Sequence, residues 1–234
     1  MSTFVLVHGG WHGGWVWDRV RPILEAQGHA VHAPTLTGLG ERQHLANAVT
    51  GPQTHVTDIV NLLIWRDLTE VILLGHSYAG LLITGVAAQV PERIRHLVYL
   101  DAFVPIRSGQ GASTFASPQR AAEIRTSLKP DGMVGPNGFE RWASDPEDIN
   151  YLKTMTTPHP VTCFEQGVEL TGRERDVQHR TNIYCAQHDP SPFRQFHDLY
   201  KNDPAWTCHT LPCLHDAMIE MPDALANLLL KADK

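Results

Sequence analysis

A chain of 234 residues is long enough to bury a large core, and α/β architectures of this length commonly stay undivided. Its residues, 42% hydrophobic and 19% charged with 18 Gly and 16 Pro, have globular proportions that exclude collagen-like, coiled-coil and wholly disordered chains. A formal net charge of −6 with no Lys/Arg block speaks against nucleic acid or an anionic membrane as partner.

The opening MSTFVLVHGG has no basic leader, and its apolar run is far shorter than a secretion signal. No stretch approaches the ~18 apolar residues that cross a bilayer. Four cysteines are too few for a disulfide framework. A cytoplasmic, reduced protein is expected. Its oligomeric state is open, a homodimer included.

Short β-branched runs alternate with helix-period segments, the pattern of a parallel sheet with crossover helices. Residues 3–7 form a strand-length run that ends at His8-Gly9-Gly10. Residues 16–27 read as a helix stopped by Gly28, and 30–33 as a strand before Pro34. In 53–67, Val56, Ile59, Val60 and Leu63 follow the spacing of a buried helical stripe. Residues 71–74 are continuously apolar, as in a strand covered on both faces. A helix over 81–90 and a strand over 97–100 follow. From 105 to 177 the pattern breaks into Pro-, Gly- and Ser-rich text with scattered aromatics. It resumes with a strand at 183–186, a helix at 192–200, a strand at 206–211 and a helix at 223–231. The expected organisation is a core of 1–104 and 178–234, interrupted by a lid at 105–177.

Residues 71–80, VILLGHSYAG, read as strand, tight turn and helix. A G-x-S-x-G turn lifts a serine above the sheet, and needs small neighbours because strand and helix backbones approach closely. Here the pattern is Gly75-His76-Ser77-Tyr78-Ala79, with Gly80 next. The same string occurs where a capping serine merely closes a turn. Two features favour chemistry. His8-Gly9-Gly10 stands where an oxyanion loop is expected, so the N–H groups of Gly10 and Tyr78 could converge on one oxyanion. The order serine, acid, histidine is met by Ser77, Asp189 after the strand at 183–186, and His215 after the strand at 206–211. Asp101, ending the strand in YLDAF, is the rival acid; Asp189 is preferred because Asp101 precedes the lid.

Together FVLVHGGWHGGWVWDRV, VILLGHSYAG, LVYLDAFVP, Asp189-Pro190 and CLHDAM resemble the α/β-hydrolase superfamily. More narrowly they resemble its small branch of plant methylesterases, hydroxynitrile lyases and bacterial hydrolases of hydrophobic esters or carbamates, pyrethroid-type esters among them. The resemblance implies an α/β-hydrolase fold, a mostly parallel sheet of six strands flanked by helices, with a helical lid inserted after the strand ending near Asp101. It implies no cofactor, with Ser77 as nucleophile, His215 as general base, Asp189 as acid, and Gly10 and Tyr78 as the oxyanion hole. Lyases of the branch carry Thr and Lys where this chain has Gly9 and Asp216, so the lyase reaction loses its cyanide-stabilising cation.

Other residues carry less. Of the 14 histidines, His76 reads as motif filler, His8 and His12 as braces of the oxyanion loop, and His188 as a surface turn residue. Asp216 should point away from the His215 ring. The C-H-x₃-C-x-H spacing of Cys208, His209, Cys213 and His215 does not fit a zinc site, and no metal is expected. Trp11, Phe139, Trp142, Tyr151 and Phe164 are the candidate pocket aromatics, and no Arg or Lys adjoins the motifs. The expected function is a serine hydrolase of hydrophobic, uncharged carboxylic esters, working through an acyl-enzyme. The alternatives are hydrolysis of a lactone, carbamate or thioester, or a small-ligand receptor on the same scaffold.

Overall fold

The computed structural model describes residues 1–232, apart from the side chain of Arg120. In chain order the elements are β1 (Thr3–Val7), α1 (Arg21–Ala26), β2 (Ala30–His32), α2 (Pro52–Trp65), β3 (Val71–His76), α3 (Ala79–Gln89) and β4 (Ile94–Leu100). Then come α4 (Pro118–Thr126), β5 (Met133–Val134), α5 (Pro146–Met155), β6 (His159–Pro160) and α6 (Thr162–Glu165). The chain finishes with β7 (His179–Cys185), α7 (Arg194–Tyr200), β8 (Thr207–Leu211), α8 (Ala217–Glu220) and α9 (Pro222–Ala232).

Six strands form one sheet in the order β2-β1-β3-β4-β7-β8, every neighbouring pair parallel. Strand alternation divides the core in two. Val5, Val7, Val71, Leu73, Leu97 and Tyr99 face the layer containing α2 and α3. Phe4, Leu6, Ile72, Leu74, Val98 and Leu100 face the layer containing α9 and Trp17. With both faces covered, the middle strands must be apolar throughout, and β3 is buried at every position. The helix after it, α3, is buried nearly all round, as an evenly apolar helix must be. In α2 the stripe Val56, Ile59, Val60 and Leu63 is the buried face.

The helix expected over 16–27 is divided. A 3₁₀ turn at Gly14–Trp17 precedes α1, which begins only at Arg21. Pro22 lacks an N–H and fits the first turn of a helix rather than its interior, so the helix starts there. Between β4 and β7 the chain leaves the sheet and builds α4, α5, α6 and the short antiparallel β5–β6 ribbon. This inserted segment packs over the C-terminal ends of the strands, the end at which open α/β sheets hold ligands. Among the described residues no helix is long and apolar enough to cross a membrane.

Candidate active site

Ser77 stands at the turn between β3 and α3 with φ 57°, in the left-handed region a non-glycine residue enters only under constraint. Its N–H donates to the Leu100 carbonyl at 3.1 Å, and its carbonyl accepts from Phe103 N at 3.1 Å and Gly80 N at 3.2 Å. These bonds tie the turn to the end of β4. A Cβ on Gly75 would lie 2.5 Å from the Ala79 carbonyl oxygen, and one on Gly80 would run into the Phe103 carbonyl. The close approach that demands glycine therefore falls on Gly75 and Gly80, while Ala79 fits as a buried methyl.

The loop after β1 faces the same turn. His8 is buried; its Nδ1–H donates to the Gly9 carbonyl at 2.8 Å, and its Nε2 accepts from Leu36 N at 3.1 Å. Burial pushes its pKa down to about 3, so the ring is neutral and its tautomer fixed. His12 donates to the Gly10 carbonyl at 2.6 Å and turns its other nitrogen to Asp216, 3.1 Å away. The two histidines hold successive carbonyls of the loop, and so orient its peptide planes. Trp11 N donates to His159 at 3.1 Å, whereas Gly10 N and Tyr78 N are spent on no backbone bond. For Tyr78 that follows from its place at the start of α3, where the first N–H groups lack helical partners. A side chain at Gly9 would press on His76 and Ser77, its Cβ 2.8 Å from His76 Nδ1.

The chief departure from the sequence reading concerns the carboxylate. Asp101, not Asp189, reaches His215: Nδ1 of His215 donates to Asp101 Oδ2 at 2.7 Å. Asp189 stands one turn beyond β7 at the cavity rim and pairs with Arg194 at 2.7 Å, both side chains partly exposed. The 3₁₀ turn Ala186–His188 sets the alternation there, and it brings His188 inward where Asp189 was expected. His188 is no surface residue: its Nδ1 donates to the same Asp101 oxygen at 2.7 Å. Asp101 sits at the end of β4 with φ 39°, its Oδ1 accepting from Cys185 N at 3.3 Å. Burial alone would raise its pKa, but hydrogen bonds and charge from His188 and His215 bring it down to about 2. An ionised carboxylate can only accept, so both Nδ1 atoms carry the proton.

His215 is buried, and burial, helped by the neighbouring His188, lowers its pKa although Asp101 opposes the shift. Its backbone N–H donates to the Arg141 carbonyl at 3.3 Å, and its carbonyl accepts from His76 Nε2 at 3.1 Å. Hence the inserted segment and the residue before Ser77 both hold the loop that carries it. Its ring lies nearly parallel to Phe193, with centroids 5.2 Å apart. The neighbouring Asp216 turns away to His12.

Ser77 and His215 share the wall of a cavity of about 790 Å³ with Gly10, Tyr78 and His188. No hydrogen bond joins the two side chains, a separation common in such sites before substrate closes them. The remaining wall is largely aromatic. Of the residues expected there, Trp11, Trp142 and Phe164 line it, with Trp11 stacked on Trp142 at 5.6 Å. Phe139 packs edge-on behind Trp142, and Tyr151 packs edge-on against Trp15, so neither reaches the cavity. Phe103, Phe115 and Phe193, which sequence reasoning missed, complete the lining. Phe103 stood next to the elbow's partner strand in DAFVP, a signal that was available.

A serine-bearing elbow, N–H groups on two loops that make no backbone bond and a histidine–carboxylate pair over a parallel sheet have the layout of an α/β-hydrolase. Residues 4–228 match the family described as the alpha/beta hydrolase family. The chain is 37% identical over 98% of its length and 98% of the relative's to a carbendazim hydrolyzing esterase from Nocardioides sp.. It is 32% identical to methylesterase 2 of Arabidopsis thaliana, over 71% of this chain and 64% of that protein. In structure it resembles an extracellular alpha/beta-hydrolase from a Paenibacillus species, with TM-score 0.87 and 22% identity over 99% of both chains. The chain belongs to the alpha/beta hydrolase family and is an esterase of that type.

Proposed function

We propose that this esterase cleaves uncharged carboxylic esters with an apolar, aromatic part through an acyl-enzyme on Ser77. The observation that carries the reading is the His215–Asp101 hydrogen bond, buried on the wall of the cavity onto which Ser77 opens. His215 takes the Ser77 proton as the hydroxyl attacks the ester carbonyl, and Asp101 holds the imidazole tautomer and stabilises the imidazolium. The N–H groups of Gly10 and Tyr78 receive the oxyanion, each such donor contributing roughly 3 kcal/mol at the transition state. The tetrahedral intermediate collapses, the C–O bond breaks, and the alcohol leaves with the proton from His215. Water, deprotonated by the same imidazole, then attacks the acyl carbon and frees Ser77 and the acid.

The cavity supports the substrate class. Trp11, Phe103, Phe115, Trp142, Phe164 and Phe193 present flat apolar surface, and the charged Glu123 and Arg141 on its wall are paired with each other at 3.1 Å. The relative named a carbendazim hydrolyzing esterase supports ester-type hydrolysis of an uncharged aromatic compound; carbendazim is a carbamate, so that relative speaks for the carbamate alternative as much as for a carboxylic ester. Mixing enzyme with p-nitrophenyl esters of graded acyl size should give a burst of p-nitrophenol that scales with enzyme concentration. Ser77→Ala should abolish it. A Ser77→Ala protein that still turns over at the wild-type rate would refute the assignment, and a wild type with no turnover would favour the receptor.

A further inference from the structure

The Asp101 carboxylate serves two imidazoles. His215 Nδ1 and His188 Nδ1 each donate to Oδ2 at 2.7 Å, while Oδ1 is held by Cys185 N. The imidazole rings stack on each other, centroids 4.4 Å apart and 29° between planes. Asp101 is closed to solvent, while the His188 side chain is 11% exposed, on the cavity wall. We infer that His188 is a positioning residue for the reaction, fixing the acid from the side opposite the general base and setting the basicity of His215 through their shared oxygen. The inference rests on the reading of Ser77, His215 and Asp101 given above.

Two consequences follow from the geometry. A carboxylate held by one imidazole can swing with it; three donors on two oxygens leave Asp101 a single orientation, and with it His215. Next, the groups facing His188 set the sign of its effect on His215. They are Asp101 from β4, His215 after β8, and Asp189 with Arg194 and Tyr184 at the rim. Behind His215 lie His76 and Asp216. The His188 imidazole, stacked on the His215 ring and holding the shared oxygen, makes a cation on His215 less favourable than it would be with Asp101 to itself. In agreement, His188 lowers the His215 pKa.

The test uses the full-length enzyme, with a p-nitrophenyl ester and pH profiles of kcat and kcat/KM. His188→Phe keeps a flat ring against His215 and Phe193 but gives Asp101 no proton. It should lower kcat about tenfold or more with KM little changed, since a misplaced acid costs rate rather than binding. The acid limb of kcat/KM should move to higher pH. His188→Gln, which offers an N–H to Asp101 but no imidazole against His215, should recover most of kcat and leave the acid limb at the higher pH. Proton NMR should show one fewer downfield imidazole N–H signal in His188→Phe than in the wild type. A wild-type kcat and acid limb in His188→Phe would overturn the inference. If that variant does not fold, a wild-type acid limb in His188→Gln would do the same. Ser77→Ala and Asp101→Asn separate the two levels: if both are inactive while the His188 variants match wild type, only this inference fails. If Asp101→Asn is fully active, the reading beneath it fails.

Discussion

Gly80 and the Phe103 carbonyl are packed so closely that a single methyl on Gly80 would meet the oxygen head-on. The contact joins the first turn of α3 to the chain leaving β4, and so couples Ser77 to Asp101 across one peptide. Gly80→Ala should therefore cost about 1–3 kcal/mol of stability, the usual cost of overpacking, and lower activity further by tilting the elbow. Ala79→Gly should leave the elbow in place. Chemical denaturation and ester hydrolysis on the two variants check the contrast.

The acid can be identified by a pair of isosteric changes. Asp101→Asn keeps the shape but removes the carboxylate that fixes the His215 tautomer, and kcat should fall ~10⁴-fold. Asp189→Asn disturbs only a partly exposed contact with Arg194, and kcat should change little. Steady-state kinetics on both variants decides the matter; the opposite ranking would restore Asp189.

Activity should persist into mild acid. The His215 pKa is lowered below its usual 6.5, chiefly by burial and then by His188. The free base is the active form, so kcat/KM should rise with pH about a midpoint below 6.5 and level off above it. A midpoint above that value would contradict the burial argument.

Stability should begin to fall in the same range, through other groups. His8 is neutral when folded, with a pKa near 3, but takes a proton near 6.5 when unfolded. A depressed folded pKa gives stability that is complete above the unfolded value and lost as pH falls toward the folded one. Loss therefore starts near pH 6.5 and continues toward about 3. His55, His76 and His159 have the same sign through burial. Asp101 adds its loss only between 3.8 and about 2. Urea unfolding across pH 7 to 4 should show a decline that His8→Asn makes shallower.

The buried His12–Asp216 pair braces the oxyanion loop against the segment after His215. For Asp216 burial acts upward, yet contact with His12, with His76 and His215 adding, holds its pKa below the usual value. Asp216→Ala leaves His12 buried without its partner and should cost roughly 3–5 kcal/mol, measured by chemical denaturation.

Local pattern determined much of this protein. Runs of β-branched residues between helical stripes specify a parallel sheet, and small residues around Ser77 specify the elbow, because both depend on neighbours within a few positions. The chain order also places Ser77 and His215 beyond strand ends, and the sheet brings them to one cavity. Pro22 shows where even local reading must respect a missing N–H. Facing within a turn is a different matter. At His188-Asp189 a rotation of one residue exchanges which side chain enters the site, and no periodicity reports it; only the packing of β4 against β7 makes Asp101 the partner of His215. The cavity lining was legible only in part: Trp11, Trp142 and Phe164 were expected on it, Phe115 and Phe193 were not. Phe115 comes from the inserted segment and Phe193 from the turn after β7, and they meet only across Phe103 once that segment folds back over the sheet, because contact between distant aromatics is decided by the burial of surface and not by order along the chain.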